Sequence, residues 1–189
     1  MLDRLRKRLE SYLSLVGVSF ARLVPSPTAW TFAGLVVSLL SGLSYSGTVY
    51  GGQLVGGLLV LVAGWFDIVD GAVAKATGKA SRRGAFLDST LDRVAEVAVF
   101  LGILFGGLAP PPLVLVALAL SMLVSYARAR AESLGTALSG VGIGERSERL
   151  LILAVASILG IAAWGVLVVA IVAGFTFVER TYKGAKGLS

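Results

Sequence analysis

Long apolar stretches alternate with short polar, glycine- or proline-containing segments along most of the chain. Their lengths predict six membrane-spanning helices, since a helix needs about 20 residues to cross the hydrocarbon core. The predicted spans are about 28–46, 52–76, 83–107, 112–134, 149–163 and 164–182. The last two lie in continuous apolar sequence, with the turn placed between Gly160 and Trp164. The pattern predicts an all-α integral membrane protein that forms a single domain over residues 1–189.

Residues 1–22 have a different pattern, in which basic and apolar residues alternate at helical spacing. This pattern is typical of an amphipathic helix that lies in the membrane interface rather than across it. Its polar side consists of Arg4, Arg6, Lys7 and Arg8. A solvated helix end is the simpler alternative. Pro25 and Pro27 separate this helix from the six-helix bundle, which is expected over residues 28–182.

The distribution of charge predicts how the helices are oriented. The chain has 17 Lys and Arg against 11 Asp and Glu, which gives a net charge of +6. The basic residues fall near the two termini, the loop between spans two and three, or the loop between spans four and five, and the opposite loops carry none. By the positive-inside rule, both termini and both basic loops face the cytoplasm of a multi-pass cell-membrane protein. No accompanying pattern indicates nucleic-acid binding.

Four aspartates lie within or at the ends of these apolar stretches, where a carboxylate costs roughly 2.5–3.5 kcal/mol on insertion scales. Asp67 and Asp70 share one face of the second span, and Asp88 and Asp92 share one face of the third. The segment between the spans is short, so the helices are expected to be antiparallel neighbours. Cys and His are absent, and carboxylate oxygens select Mg²⁺, Mn²⁺ or Ca²⁺ over zinc or copper. The sequence therefore predicts a divalent-cation site near the cytoplasmic surface.

Small residues accompany the aspartates. Gly71 and Ala74 remove side-chain bulk beside the carboxylates, which suits the approach of a flat base or a phosphate chain to the helix backbone. Lys75 adds a compact cation that suits a phosphate. The further basic residues of this loop are Lys79, Arg82 and Arg83. Anchoring at the cytoplasmic surface explains these residues at least as well as a role in ligand binding does.

Residues 67–92 read D-x2-D-G-x2-A-K-x8-G-x3-D-x3-D. This segment closely resembles the signature of the CDP-alcohol phosphotransferase family, integral membrane enzymes of phospholipid synthesis, and differs only at Lys75, where the family has Arg. The resemblance implies that Mg²⁺ or Mn²⁺, expected as two ions, is held by Asp67, Asp70, Asp88 and Asp92. It implies a pocket for the CDP-lipid donor lined by Pro27, Thr31, Asp67, Asp70, Gly71, Ala74, Lys75, Gly84 and Asp88. It also favours a homodimer.

The chemistry that these residues imply is a transfer reaction. The metal neutralises the diphosphate and stabilises the CMP leaving group, and the hydroxyl of an acceptor attacks the phosphorus on the lipid side. Asp92, furthest along the third span, is our hypothesis for the general base that takes the hydroxyl proton. A divalent-cation transporter is the alternative from a different class. It predicts aspartates near the bilayer midplane, whereas these lie towards the basic loops.

A second group of residues indicates the acceptor. Convergent arginines recognise phosphate through bidentate hydrogen bonds, and the candidates are Arg128, Arg130, Arg146, Arg149 and Arg180. Their A-R-A-E and E-R-x-E-R-L segments resemble the inositol-phosphate branch of the family, which implies that inositol phosphate is the acceptor and a phosphoinositol-phosphate lipid is the product. Glycerol 3-phosphate is the closest rival, and topology anchoring by the arginines stays an alternative. The donor lipid, CDP-diacylglycerol or CDP-archaeol, is left open.

Overall fold

The structure is a computed structural model that describes residues 2–138 and 140–188, with side chains from Tyr12 onward. All of the secondary structure over these residues is helical, which confirms the all-α prediction. A π-helical turn, Ser44–Thr48, extends the second helix. The α-helices are α1 (Leu2–Leu23), α2 (Pro27–Leu43), α3 (Gly52–Thr77), α4 (Arg82–Phe105), α5 (Pro111–Ser133), α6 (Arg146–Ile158) and α7 (Ala162–Gly187).

Four of the described helices are long and apolar enough to cross a membrane: α2 with its π-helical turn, α3, α5 and α7. Two of the predicted spans do not meet these criteria. α4 is 24 residues long but carries the charged side chains of the acidic motif. α6 has only 13 residues, or about 20 Å of helix, which is shorter than the roughly 30 Å hydrocarbon core.

The turn between α6 and α7 lies close to its predicted position. Gly160 has a φ of +79°, a conformation that favours glycine because it lacks a Cβ atom. α7 begins at Ala162, so Trp164 belongs to its first turn rather than to the loop. α6 begins at Arg146, before the predicted start of the fifth span, because Glu145 and Glu148 form a capping box at its N-terminus.

Glycines allow α2 and α4 to cross at very short range. A Cβ atom at Gly102 would lie 2.2 Å from the carbonyl oxygen of Gly42, and one at Gly42 would lie 2.5 Å from the carbonyl oxygen of Ala98. Small residues at membrane-helix crossings permit such contact between backbones. α2 also packs against α3, and α6 packs against α3 and α7. These contacts bring together the helices that carry the candidate site.

α1 packs along α3. A Cβ atom at Gly17 would lie 2.5 Å from the carbonyl oxygen of Ala72, so the two helices touch there. Phe20 makes edge-to-face contacts with Trp30 of α2 and Trp65 of α3. The predicted basic side of this helix lies outside the described side chains, and its interfacial position stays a prediction.

Candidate active site

Three of the predicted metal ligands come together between α3 and α4. Asp67, Asp70 and Asp88 each offer one carboxylate oxygen, and these three oxygens lie within 4.8 Å of one another. Asp70 is only 7% exposed. The Oδ1 atom of Asp88 is buried and has no hydrogen-bond partner among the described residues. Three convergent carboxylates with an unsatisfied buried oxygen fit a hard divalent cation such as Mg²⁺ or Mn²⁺. We call these residues the aspartate triad.

Thr31 of α2 holds one member of the triad in place. Its hydroxyl donates a hydrogen bond of 2.8 Å to Oδ2 of Asp70 and also lies 3.3 Å from the carbonyl oxygen of Pro27. Partners of this kind orient a metal-binding carboxylate. Thr31 was predicted from the sequence to line the nucleotide pocket, and the structure adds a direct contact with a triad residue.

Asp92 lies one helical turn beyond Asp88 and outside the triad. Its Oδ1 atom is 2.6 Å from Nη1 of Arg146, and the same nitrogen lies 3.3 Å from Oδ1 of Asp67. Arg146 opens α6, so this one guanidinium links α6 to both α3 and α4. The contact places Asp92 at the edge of the triad, where an arginine-rich region begins.

A cavity of about 340 Å³ opens beside the triad, within the usual range for small-molecule sites. Ser81 caps the N-terminus of α4 at this cavity, where its hydroxyl accepts a hydrogen bond from the amide of Gly84. The N-terminal end of a helix favours phosphate groups. The cavity gathers most of the predicted nucleotide-binding residues: Pro27, Thr31, Asp70, Gly71, Ala74, Gly84 and Asp88.

We call this the nucleotide cavity, after the role predicted for the residues that line it. Lys75 does not line it. It lies with Asp67 and Gly71 on a second cavity, of about 660 Å³, between α1 and α3. Lys79 lines the nucleotide cavity instead, and its ammonium donates to the carbonyl oxygen of Pro25 at 2.9 Å. Gly78, with a φ of +64°, ends α3 and turns the chain back over the cavity. The sequence pattern could not show which lysine this turn brings to the cavity.

Three of the predicted acceptor arginines lie around the N-terminus of α6. Glu145 immediately precedes Arg146, and its Oε1 atom is 3.9 Å from Nη1 of Arg128 and 3.6 Å from Nη2 of Arg180. Among the described residues, the buried Nε of Arg146 and the buried Nη2 of Arg180 have no hydrogen-bond partner. Buried guanidinium nitrogens without acceptors suit an anionic ligand. We call Arg128, Arg146 and Arg180 the arginine cluster.

The other two arginines point elsewhere. Arg130 is exposed and follows Arg128 by two residues, which turns it about 200° around α5. Arg149 is 1% exposed, and its guanidinium makes a bidentate pair with Glu96, with contacts of 2.7 and 3.0 Å from Nη2. The guanidinium of Arg149 therefore has a carboxylate partner inside the protein, and its contact with an acceptor phosphate stays a prediction.

Glu96 was missed by the sequence analysis. It is completely buried in α4, although it continues the spacing of the acidic motif, since Asp88, Asp92 and Glu96 are four residues apart. That extension of the acidic stripe was the signal that could have found it.

A model of the CDP-alcohol phosphatidyltransferase family matches residues 18–178. The chain belongs to this family. The match includes the aspartate triad, the nucleotide cavity and two of the clustered arginines. It confirms the resemblance noted in the sequence and makes the chain a membrane-embedded, metal-dependent transferase rather than a cation transporter.

Relatives within the family agree with this assignment. The chain is 36% identical over 188 residues to archaetidylinositol phosphate synthase from Pyrococcus horikoshii, which covers 100% of this chain and 98% of the relative. Phosphatidylinositol phosphate synthase from Mycobacterium tuberculosis, solved with CDP-DAG bound, has a TM-score of 0.78 and 28% identity over 91% of this chain and 92% of its own. A complex of the same enzyme with manganese and citrate gives a TM-score of 0.79 at 28% identity, over 92% and 88% of the two chains.

The contact between Thr31 and Asp70 generates a test of the metal site. We expect Thr31→Val to weaken Mn²⁺ binding about 10- to 100-fold, because a metal-binding carboxylate loses the partner that orients it. This affinity is measured by titrating the purified protein with Mn²⁺ and monitoring the electron paramagnetic resonance signal of the free ion.

The matched control is Thr90→Val on α4, where the hydroxyl bonds only to the carbonyl oxygen of Phe86 in its own helix. Equal Mn²⁺ affinity in the wild type and the Thr31 variant would exclude the proposed orienting role.

Proposed function

We propose that the chain transfers the phosphatidyl-type group of a CDP-lipid to a hydroxyl of inositol phosphate, with release of CMP. One observation carries this proposal: the aspartate triad lies between the nucleotide cavity and the arginine cluster. A donor diphosphate and a phosphorylated acceptor can therefore reach the same carboxylates from two sides. The product class in the names of the relatives, an inositol phosphate lipid, supports this acceptor over its rival, glycerol 3-phosphate.

The donor occupies the nucleotide cavity, with its diphosphate at the triad. Among the described residues, a Cβ atom built at Gly71 meets no atom within 4 Å apart from the backbone of its own helix, so packing against the rest of the protein does not require the glycine. Its bare backbone instead leaves room for a ligand where the nucleotide cavity meets the cavity that Lys75 lines. Lys79 and the N-terminus of α4 supply positive charge on the nucleotide side.

Divalent metal at the triad, Mg²⁺ or Mn²⁺, supplies charge neutralisation to the diphosphate and to the departing CMP. Two ions are expected, and Asp92 is the further carboxylate that would contribute to the second. The residues of the chain orient the reactants. The acceptor oxygen forms a bond to the lipid-side phosphorus as the bond from that phosphorus to the CMP oxygen breaks. Asp92 takes the hydroxyl proton, since it lies between the triad and the acceptor side.

The acceptor phosphate binds the arginine cluster. Among the described residues, Arg146 and Arg180 each keep a buried nitrogen without a hydrogen-bond partner, and Arg128 is half-exposed. Guanidinium groups bind phosphate with two parallel hydrogen bonds and so fix its orientation. A phosphate held there keeps the acceptor hydroxyl close to Asp92. Arg130 and Arg149 are not part of this pocket.

The same proposal includes the membrane arrangement. The chain forms one domain with six crossings, α1 lies in the interface, and both termini and the active site face the cytoplasm. The distribution of Lys and Arg supports this orientation. The short α6 crosses only if the bilayer thins beside it or its neighbours cover its ends. A homodimer within the membrane is the expected assembly.

Gly71 offers a test of the donor site that separates ligand binding from folding. We expect Gly71→Leu to raise the KM for the CDP-lipid about tenfold or more, because the new side chain fills space that the ligand needs. The thermal unfolding temperature should be unchanged, since no protein atom lies near the new Cβ atom. CMP release at varied donor concentration gives the KM.

Gly64→Leu is the matched control, because a Cβ atom there also meets no protein atom within 4 Å on the same helix. If the Gly71 variant had the same donor KM as the wild type, Gly71 would not belong to the donor site.

The acceptor is tested by CMP release from labelled CDP-lipid with inositol phosphate, glycerol 3-phosphate or free inositol. We expect CMP release with inositol phosphate and none with glycerol 3-phosphate or free inositol. Arg128→Gln should raise the KM for inositol phosphate by roughly tenfold, because one bidentate contact is lost, whereas Arg130→Gln should leave that KM unchanged.

Turnover with glycerol 3-phosphate alone would replace the proposed acceptor by its rival. Equal effects of the two arginine variants would place the phosphate elsewhere.

A further inference from the structure

Two contacts between acidic and arginine side chains connect α6 to α4, and only one of them lies in the proposed active site. The first joins Arg146 to Asp92 at 2.6 Å. The second joins Arg149 to Glu96, three residues further along α6 and four further along α4. Because the spacing matches one helical turn on each helix, the two contacts lie side by side.

The second contact is the more completely buried of the two. Glu96 is 0% and Arg149 is 1% exposed. Nε of Arg149 donates to Oε1 of Glu96 at 3.0 Å, and Nη2 donates to both carboxylate oxygens. This fork geometry fixes the orientation of a guanidinium as well as its position.

The same guanidinium also holds the loop that leads into α6. Nη1 of Arg149 donates to the carbonyl oxygen of Gly144 at 2.6 Å. Gly144 packs so tightly on α7 that a Cβ atom there would lie 2.6 Å from the hydroxyl of Thr176. The residue that follows, Glu145, caps α6. The α4 carboxylate is thereby connected through one guanidinium to the segment that begins with Glu145 and Arg146.

We propose that the Glu96–Arg149 pair is a positioning device, which sets the place of Arg146 and so the affinity for a phosphorylated acceptor. This inference rests on the proposed function for its kinetic consequence. Glu96 and Arg149 touch neither the donor cavity nor the triad. They act through the N-terminus of α6, where the acceptor phosphate is bound.

A purely structural role is the competing explanation, and the energetics of buried ion pairs make the two separable. A buried pair replaced as a unit by apolar side chains of similar volume often leaves stability unchanged, whereas removal of one partner leaves an uncompensated charge. The double variant Glu96→Leu/Arg149→Met therefore removes the connection without leaving a buried charge. Arg149→Lys retains the charge and loses the fork.

The kinetic test is CMP release by the double variant at varied acceptor and varied donor. We expect the KM for inositol phosphate to rise about tenfold or more and the KM for the CDP-lipid to change less than about twofold. The KM of Arg149→Lys for inositol phosphate should fall between those of the wild type and the double variant.

The control is Glu179→Gln/Lys183→Gln, which removes an exposed ion pair of α7. An unchanged acceptor KM with a lower kcat would show a merely structural role and overturn the proposal.

A second measurement needs no substrate. The chain contains no cysteine, so Ile143→Cys gives a single site for a nitroxide label on an exposed residue beside Gly144. We expect the label to move faster when the double substitution is added, because the loop loses its anchor, and the Glu179/Lys183 control to leave its spectrum unchanged. An unchanged spectrum in the double variant would also overturn the proposal.

The two experiments separate this proposal from the proposed function. Wild-type protein that releases no CMP with inositol phosphate would contradict the proposed function, and the label would still decide whether the pair anchors the loop.

Discussion

Carboxylates inside a bundle of membrane helices have to be compensated, and the way they are compensated organises this molecule. An isolated charge at such depth is costly, yet α3 and α4 carry Asp67, Asp70, Asp88, Asp92 and Glu96. In the structure, these carboxylates have different ion-pair or hydrogen-bond partners. Glu96 has Arg149, Asp92 has Arg146, and Asp70 has the hydroxyl of Thr31. Asp88 offers a carboxylate oxygen to the other two triad residues and keeps a buried oxygen that has no hydrogen-bond partner among the described residues. A divalent ion would satisfy this remaining demand for positive charge.

The short α6 follows from the same demand. Its first turn carries both arginines that reach α4, and its capping box fixes where that turn begins. An ordinary membrane-spanning helix would bring only apolar side chains to this position. α6 thus supplies positive charge to the acidic motif from the opposite side. It also places Glu145 between Arg128 and Arg180, two members of the arginine cluster.

Much of the site could be predicted because its parts are local in sequence. Asp67 and Asp70 are three residues apart on one helix, so their shared face follows from helical geometry alone, and the short loop after α3 brings Asp88 to them. Gly71, Ala74 and Gly84 follow from the same periodicity. The long apolar spans are equally local, which is why α2, α3, α5 and α7 were predicted close to their observed bounds.

The remainder depends on pairings between distant residues. Arg149 was grouped with the acceptor arginines because nothing near it in sequence shows that Glu96, fifty-three positions earlier, neutralises it. Lys75 was chosen because it fills the cation position of the acidic motif, whereas Lys79 reaches the cavity beside Asp70 only because the chain turns at Gly78 as it leaves α3. Arg130 is a different case, because its two-residue spacing from Arg128 already places the two side chains on different faces of α5, and the sequence analysis did not apply that spacing.

The most direct measurement is anomalous X-ray diffraction from crystals of the protein grown with Mn²⁺ and a CDP-lipid. We expect a manganese peak bound by carboxylate oxygens of Asp67, Asp70 and Asp88, with the diphosphate of the donor completing its coordination. A diphosphate bound in the cavity with no manganese between it and these three aspartates would contradict the metal-centred site.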